Sequence, residues 1–174
     1  TFTLVKFNVY DFNIFQLNDQ DVLAGVRVNP PTIGEVTADG TLNLFMGPTA
    51  DRRVNTGPNR VGRDHELDEG FSIASQGPTD PANPDGGETL VVKFLVRDAD
   101  GERVERVQQI FRGVKRITAS GGVGDDAIVV DKTVRAPVEF SGDGGSDELS
   151  YAGSGIAILR GGDGDDRLTG GPGD

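Results

Sequence analysis

The chain has 174 residues, 26 of them glycine, and a formal net charge of −11, because 28 Asp and Glu outnumber 17 Lys and Arg. This charge disfavours nucleic acid and anionic membranes as partners and makes cations the natural counterpart. The absence of Cys excludes disulfides and thiolate metal sites, and no apolar run approaches the roughly 18 residues of a membrane span, so direct membrane insertion is not expected.

Residues 1–118 predict β-strands joined by loops, since no segment keeps a helical period. In chain order, the strands are expected in TFTLVKFNVYDFNIF, DVLAGVRV, GTLNLFMG, FSIAS, TLVVKFLV and RVQQIFRGVKRIT. VRDADGERV predicts a hairpin turn, whereas the Pro-rich NPPT, TGPNR and GPTDPANPDGG predict connecting loops, the last long enough to be mobile. We expect either a sheet that caps the following region or an independent sandwich, with residues 1–37 as a candidate separate segment.

An incomplete zinc motif lies in DHELDEG. His65 and Glu66 begin the pattern H-E-x-x-H, but Glu69 stands where the second His is required, and His65 is the only His in the chain. A zinc protease core is therefore not expected. The segment predicts a solvated acidic loop, with a cation site formed by Asp64, Glu66, Asp68 and Glu69 as the alternative.

No catalytic residue is predicted within the chain. One His and no Cys remove the usual nucleophile and base pairs, and the lack of Trp argues against the aromatic-lined cleft of a glycosidase. A cluster of four arginines predicts a loop that pairs with surface acids rather than a phosphate site. These arginines are Arg52, Arg53, Arg60 and Arg63.

A nine-residue pattern repeats after Gly121. GGVGDDAIV starts at Gly121, GDGGSDELS at Gly142 and GGDGDDRLT at Gly161, and GGPGD at Gly170 begins a fourth copy. Each copy fits G-G-x-G-x-D-x-U-x, where U is a large apolar residue, although Asp143 replaces the second glycine of the middle copy. We number the three complete copies repeats 1 to 3.

The spacing of glycine and aspartate suits a metal ion. Glycines at positions one, two and four let the backbone turn so that several carbonyl oxygens share one concavity, and Asp126, Asp147 and Asp166 at position six each add a carboxylate. Calcium requires six to eight oxygens at about 2.3–2.6 Å, more than one six-residue turn can supply. We therefore expect two stacked turns to share each ion.

Two calcium sites follow, one between residues 121–126 and 142–147 and the other between 142–147 and 161–166. Without calcium the carboxylates repel one another, so we expect this segment to be largely disordered and to fold as it binds the ion. The candidate metal ligands, through the backbone or the side chain, are Gly121, Val123, Asp126, Gly142, Asp143, Gly144, Asp147, Gly161, Asp163, Gly164 and Asp166.

The repeats also predict a parallel β-roll over residues 119–174. The position-six aspartates lie 21 and 19 residues apart (126 to 147, and 147 to 166), enough for two strands and two turns in each coil. DKTVRAP, YAGSG and GGPGD are expected to form the opposite turns. The apolar residues expected to point inward are Ile128, Val130, Val138, Phe140, Leu149, Ile156, Ile158 and Leu168.

These repeats resemble the RTX, or haemolysin-type calcium-binding, repeats of bacterial proteins exported by type I secretion. The resemblance implies a roll that stays loose inside the cell and folds on extracellular calcium, in a secreted or cell-surface protein. The region upstream of the repeats looks like the β-rich lead-in of such proteins, whereas about the first 35 residues match no family. Because the sequence ends inside a repeat and lacks an initiator Met, we expect a fragment of a larger parent chain.

Two functions remain open at this point. The favoured one is a non-catalytic calcium-binding structural module of a secreted or surface protein. The alternative is the calcium-dependent C-terminal module of a secreted enzyme or toxin whose catalytic domain lies outside this chain. Self-assembly, or a surface ligand such as carbohydrate or protein for the N-terminal region, is a further option for which the sequence offers no specific signature.

Overall fold

The computed structural model describes residues 32–53, 68–98 and 100–172. Several of the predictions above fall on other residues and stay predictions. They concern TFTLVKFNVYDFNIF, DVLAGVRV, most of NPPT, TGPNR, Arg60, Arg63, Asp64, His65 and Glu66.

Within the described residues, the chain forms strands and one 3-10 helix, Gly47–Arg52. The strands are β1 (Gly34–Val36), β2 (Thr41–Leu44), β3 (Glu69–Asp80), β4 (Asn83–Arg97), β5 (Arg103–Val114), β6 (Arg116–Val123), β7 (Ala127–Val130), β8 (Val138–Gly144), β9 (Glu148–Tyr151), β10 (Ala157–Asp163) and β11 (Arg167–Thr169). The prediction of an all-β protein is confirmed for this part of the chain. None of the helices described there is long and apolar enough to span a membrane.

The strands form two mixed sheets. Sheet 1 has the order β1-β2-β6-β8-β10, and sheet 2 has the order β11-β9-β7-β3-β4-β5. β1 pairs with β2, β3 with β4 and β4 with β5 in antiparallel fashion, whereas β2-β6-β8-β10 and β3-β7-β9-β11 are parallel series. From β6 onward the chain alternates between the two sheets, so each further pair of strands extends both.

The hairpin turn predicted in VRDADGERV is confirmed between β4 and β5. The Asp98 N–H donates to the Glu102 carbonyl oxygen at 2.9 Å. The Asp98 carboxylate in turn accepts the N–H groups of Asp100 and Glu102, each at 3.0 Å. An aspartate that satisfies nearby backbone N–H groups in this way stabilises a tight turn.

The long loop predicted for GPTDPANPDGG is wrong. β3 and β4 extend through it and pair as far as Asp80 and Asn83, which leaves only Pro81 and Ala82 in the turn. Proline lacks a ladder donor, but the register shifts on both sides of Pro78 let the strand continue around it. The local composition therefore indicated a loop where pairing with the partner strand produced a bulged hairpin.

The core lies between the two sheets, and its strands alternate inward apolar residues with more exposed ones. In β4, for example, Leu90, Val92 and Phe94 are buried while Val91 and Lys93 are only partly so. In the repeat region five of the residues predicted to point inward are buried. They are Ile128, Val130, Val138, Phe140 and Leu149.

Two of the predicted inward residues are exposed instead. Ile156 is 66% exposed and Ile158 is 39% exposed. The register pairs Val138 with Ala157 and Phe140 with Leu159, so Ala157 and Leu159 take the inward positions of β10. A shift of one residue reverses every side chain of a strand, which is why the pattern alone gave the wrong face. The third discrepancy, Leu168, is aligned with Leu149 but is 46% exposed on the edge strand β11.

The six-residue turns of the three repeats lie one above another. We call residues 121–126, 142–147 and 161–166 turns 1, 2 and 3. Glycine or aspartate with positive φ stands at position two of each turn, and glycine with positive φ at position four. Asp143 stands where the pattern has glycine. Among the described residues it is the one non-glycine residue with a positive φ, which is 73°. The turns thus share one backbone conformation despite the sequence difference.

Close contact between turns leaves no room for a side chain at position four. A Cβ on Gly145 would overlap the carbonyl oxygen of Gly124, and a Cβ on Gly164 would overlap that of Gly145. Gly77, in the β3–β4 hairpin, also has positive φ but has open space where its Cβ would stand. The two glycines therefore separate the effect of stacking from that of backbone conformation.

We expect Gly145→Ala to lower the free energy of unfolding by about 2 to 3 kcal/mol, because the added methyl must push two turns apart. The control Gly77→Ala carries only the strain of a positive φ, about 1 kcal/mol. Urea unfolding of both variants in calcium measures the difference. Equal losses in the two variants would contradict the close stacking of the turns.

Candidate metal centre

Backbone carbonyl oxygens of each turn lie close to the backbone of the neighbouring turn. We call the space between turns 1 and 2 gap 1, and that between turns 2 and 3 gap 2. At each gap, the earlier turn places its position-two and position-four carbonyl oxygens against the later turn. The later turn places its position-one carbonyl oxygen against the earlier turn. In gap 1 they belong to Gly122, Gly124 and Gly142, and in gap 2 to Asp143, Gly145 and Gly161.

The position-six carboxylates connect successive turns. The Asp126 N–H donates to Oδ1 of Asp147 at 2.9 Å, and the Asp147 N–H donates to Oδ1 of Asp166 at 3.0 Å. The series continues upstream, where the Glu69 N–H donates to Oδ1 of Asp126 at 2.7 Å. Asp147 and Asp166 therefore each use one oxygen to accept from the turn before them, and Asp126 uses one to accept from the first residue of β3.

The second oxygen of two of these carboxylates is buried and has no hydrogen-bond partner among the described residues. Asp126 and Asp147 are 1% and 2% exposed, and the atoms concerned are their Oδ2 oxygens. Leaving a buried acceptor unsatisfied costs about 1–3 kcal/mol, and more for a charged group. Each Oδ2 lies against the position-one glycine of its own turn, Gly121 or Gly142, beside the position-one carbonyl oxygen of the following turn.

This environment disfavours the charged form of both carboxylates. Burial raises the pKa of Asp126 to about 8, with a further contribution from the negative charges of Glu69 and Asp147. Burial likewise raises the pKa of Asp147, and the nearby Asp166, Asp125 and Asp143 act in the same direction. Without a cation, both groups keep their protons to a higher pH than an ordinary aspartate does.

A second series of hydrogen bonds runs through position five in the opposite sense. The Asp125 N–H donates to Oδ1 of Asp68 at 2.9 Å, and the Ser146 N–H donates to Oδ1 of Asp125 at 2.8 Å. Asp68 also forms an ion pair with Arg97 at 3.0 Å. The position-five carboxylates therefore bind the next turn, whereas the position-six carboxylates bind the preceding one.

The predicted ligands divide into three groups in the structure. Asp126, Asp147, Gly142, Gly161 and the carbonyl of Asp143 meet at the gaps. Asp166, partly buried at turn 3, accepts from turn 2. The remaining predicted residues lie elsewhere. The Gly121 carbonyl lies against Gly47, the Val123 side chain is exposed, and Gly164 packs on Gly145. The carbonyls of Gly144 and Asp163 accept the N–H groups of Gly124 and Gly145, respectively.

The side chain of Asp143 is held by hydroxyl groups. It accepts hydrogen bonds from Ser120 and, at 2.6 Å, from Ser141. Partial burial by itself would raise its pKa, but these bonds and one from the Gly122 N–H outweigh that effect and lower the pKa. The carboxylate thereby supports the positive φ that glycine provides at this position in the other turns.

Sequence reasoning missed Gly122, Gly124 and Gly145, whose carbonyl oxygens lie against the following turn. In repeat 2 it chose Gly144, the residue one position before Gly145. It also missed that Glu69 continues the position-six series upstream of turn 1. The sequence does contain a signal for this role of Glu69. Residues 68–71 have the same order of residue types as residues 125–128, namely two acidic residues, a small residue and a large apolar residue. The register confirms this equivalence by pairing Phe71 with Ile128.

An open depression of about 570 Å³ lies beside turns 1 and 2. Asp126 and Asp147 form part of its wall, together with Arg97, Arg103 and Arg167. Arg103 also donates to the carbonyl oxygens of Glu69 and Asp125, at 2.6 and 2.8 Å. Its guanidinium thereby joins the first residue of β3 to turn 1.

The arrangement suits a hard cation bound mainly through backbone oxygens. Among the described residues no group of three or more His, Cys, Asp or Glu side chains is placed to hold a metal ion. At each gap, instead, the buried carboxylate oxygen lies beside one carbonyl oxygen, and two further carbonyl oxygens lie against the following turn. Calcium prefers oxygen ligands of this kind, whereas zinc sites typically use nitrogen and sulfur ligands.

Comparison of the chain with models of known protein families, with curated proteins and with solved structures gives no match. The resemblance to RTX repeats therefore rests on the nonapeptides alone.

In the absence of calcium, we expect the free energy of unfolding to fall as the pH rises from about 4 to about 8. The pKa of Asp126 is raised from 3.8 to about 8 in the folded state, so the folded protein binds more protons than the unfolded chain across this range. Its contribution to stability is complete below pH 4 and is lost as the pH passes 8.

Urea unfolding in EDTA at a series of pH values measures this slope. Asp126→Asn should flatten it, because the amide cannot titrate. The control is Asp131→Asn, an exposed aspartate whose pKa is lowered by hydrogen bonds from Thr133 and which does not titrate between pH 4 and 8. A slope that is the same in all three proteins would show that Asp126 is not the responsible group.

Proposed function

We propose that residues 119–172 form a parallel β-roll whose stacked turns bind calcium, and that the protein is a non-catalytic, calcium-stabilised structural module. One ion is expected in gap 1 and one in gap 2. The observation that carries this proposal is the pair of buried Oδ2 oxygens of Asp126 and Asp147, which lack a hydrogen-bond partner among the described residues. A cation beside each would remove both the missing contact and the cost of burying the charge.

The proposed ligands in each gap are three carbonyl oxygens and the buried Oδ2, with Oδ1 committed to the backbone. Calcium accepts six to eight oxygens in a flexible shell, so water or a further turn oxygen can complete it. Magnesium demands a near-ideal octahedron at about 2.0–2.1 Å and gives up its waters reluctantly. A shell built of backbone carbonyls on two separate turns therefore favours calcium.

Binding would couple to folding in this scheme. The carboxylates must release their protons to bind the ion, and the turns must stack to bring the carbonyl oxygens together. Extracellular calcium modules bind at roughly 10⁻⁴–10⁻³ M, so the roll would remain unstable at cytosolic calcium and fold outside the cell. We accordingly propose a secreted or cell-surface location, as the likeness to type I-secreted RTX proteins implies.

The proposed partners are calcium ions and the remainder of a longer parent chain. β-strands upstream of the repeats pair in parallel with them, since β2 joins β6 and β3 joins β7. This continuity supports a role for residues 32–118 as a capping sheet rather than an independent sandwich. The same module in a secreted enzyme or toxin would need its catalytic domain elsewhere in the parent chain.

We expect calcium, and not magnesium, to bind the EDTA-treated protein with a gain of β-structure. Asp126→Asn and Asp147→Asn should each weaken calcium binding by more than about tenfold, since loss of even an outer partner of a metal ligand costs roughly 10–100-fold. Isothermal titration calorimetry measures the affinity and far-UV circular dichroism the folding.

Asp131→Asn serves as the matched control, because Asp131 is an exposed aspartate on the opposite side of the coil. It should bind calcium as the unsubstituted protein does. The proposal is rejected if the protein shows no calcium binding at millimolar concentration, or if all three variants weaken binding equally.

A further inference from the structure

Glu69 occupies the position-six place of a turn that would precede turn 1. β3 and β7 pair as β7 and β9 do, which puts Glu69 in line with Asp126 and Asp147. The Glu69 N–H donates to Asp126 just as the Asp126 N–H donates to Asp147. The space beside Glu69 is therefore equivalent to gap 1 and gap 2, and we call it gap 0.

A guanidinium group stands beside the carboxylate in gap 0. Arg53 and Glu69 form an ion pair, and their side chains are only 3% and 2% exposed. Arg53 also donates to the Phe45 carbonyl oxygen at 3.1 Å, and its guanidinium lies 4.6 Å from the centre of the Phe94 ring. The prediction that Arg53 would pair with a surface acid is thus wrong, whereas its neighbour Arg52 does so with Glu35 at 2.7 Å.

The 3-10 helix takes the place of the missing turn. Its first residue, Gly47, lies so close to turn 1 that a Cβ would overlap the Gly121 carbonyl oxygen, and a Cβ on Gly122 would lie 2.8 Å from the Gly47 Cα. The Gly47 N–H donates to Oε2 of Glu69 at 2.7 Å. The helix and the ion pair together close the upper face of turn 1.

We propose that the Arg53 guanidinium takes the place of a calcium ion in gap 0, so that the stack of metal sites ends on a cation that belongs to the protein. This inference rests on the proposed function of gaps 1 and 2. A permanent charge at this end makes the platform for turn 1 independent of calcium. Folding of the roll on calcium then starts from turn 1 and proceeds toward turn 3.

The inference predicts a calcium requirement when the guanidinium is removed. Arg53→Met removes the guanidinium that pairs with buried Glu69, and we expect the melting temperature in EDTA to fall by about 10 °C relative to the unsubstituted protein. In millimolar calcium the deficit should shrink to less than half, because an ion can enter gap 0 beside Glu69. The double variant Arg53→Met/Glu69→Gln should show no such recovery, since the carboxylate is gone.

Arg52→Met is the matched control. Arg52 is 47% exposed and also stacks on an aromatic ring, that of Phe45 at 4.3 Å, so its loss removes a similar set of contacts at the surface. It should lower the melting temperature little, with or without calcium. A deficit of the same size for Arg53→Met in EDTA and in calcium would overturn the inference and leave Arg53 as an ordinary buried ion pair.

Amide hydrogen exchange of the unsubstituted protein tests the same idea without any variant. In EDTA the Gly47 N–H should stay protected, while the N–H groups of Asp126 and Asp147 should gain protection when calcium is added. Loss of protection at Gly47 in EDTA would overturn the inference alone. Absence of a calcium response at Asp126 and Asp147 would instead reject the proposed function.

Discussion

The burial of carboxylates between stacked turns is the constraint on which the repeat region depends. Asp126 and Asp147 are buried, and their Oδ1 oxygens accept backbone N–H groups of β3 and of turn 1, respectively. That bond aligns the turns, but it also places Oδ2 where no described residue donates to it. The same geometry that stacks the turns thus creates a charge that the protein does not neutralise by itself. Protons or a cation must do so, and this links folding to the solution outside.

Gap 0 differs from gaps 1 and 2 in what lies beside the buried carboxylate. At gap 0 the chain provides its own cation, Arg53, and fills the position of a turn with a short helix. At gaps 1 and 2 the described residues place carbonyl oxygens and a buried carboxylate oxygen. A buried ion pair adds little net stability, but removal of one partner is costly. The arrangement therefore gives the upstream sheets a fixed edge on which the parallel strands of the repeats can pair, while the proposed function makes the repeats respond to cations.

Most of the repeat region could be predicted from its pattern, because glycine and aspartate at fixed intervals restrict the backbone directly. The positive φ values at positions two and four fall where the pattern places glycine or its Asp143 replacement. The errors arose where a pattern is equally consistent with two registers. Ile156 and Ile158 suit an inward face by composition, but the pairing of β8 with β10 assigns that face to Ala157 and Leu159. Likewise, Pro and Gly in residues 77–87 suggested a loop, whereas pairing along the whole hairpin was stronger than local preference.

By itself, then, the sequence determined the all-β class, the turns and their carboxylates, since these follow from residue type and spacing. The tertiary structure decided which oxygens meet across a gap, which face of β10 is inward and what closes the stack above turn 1. Those features depend on contacts between residues far apart in the chain, such as Gly47 with Gly121 and Glu69 with Asp126. No local preference encodes them, because each arises only when separate strands lie side by side.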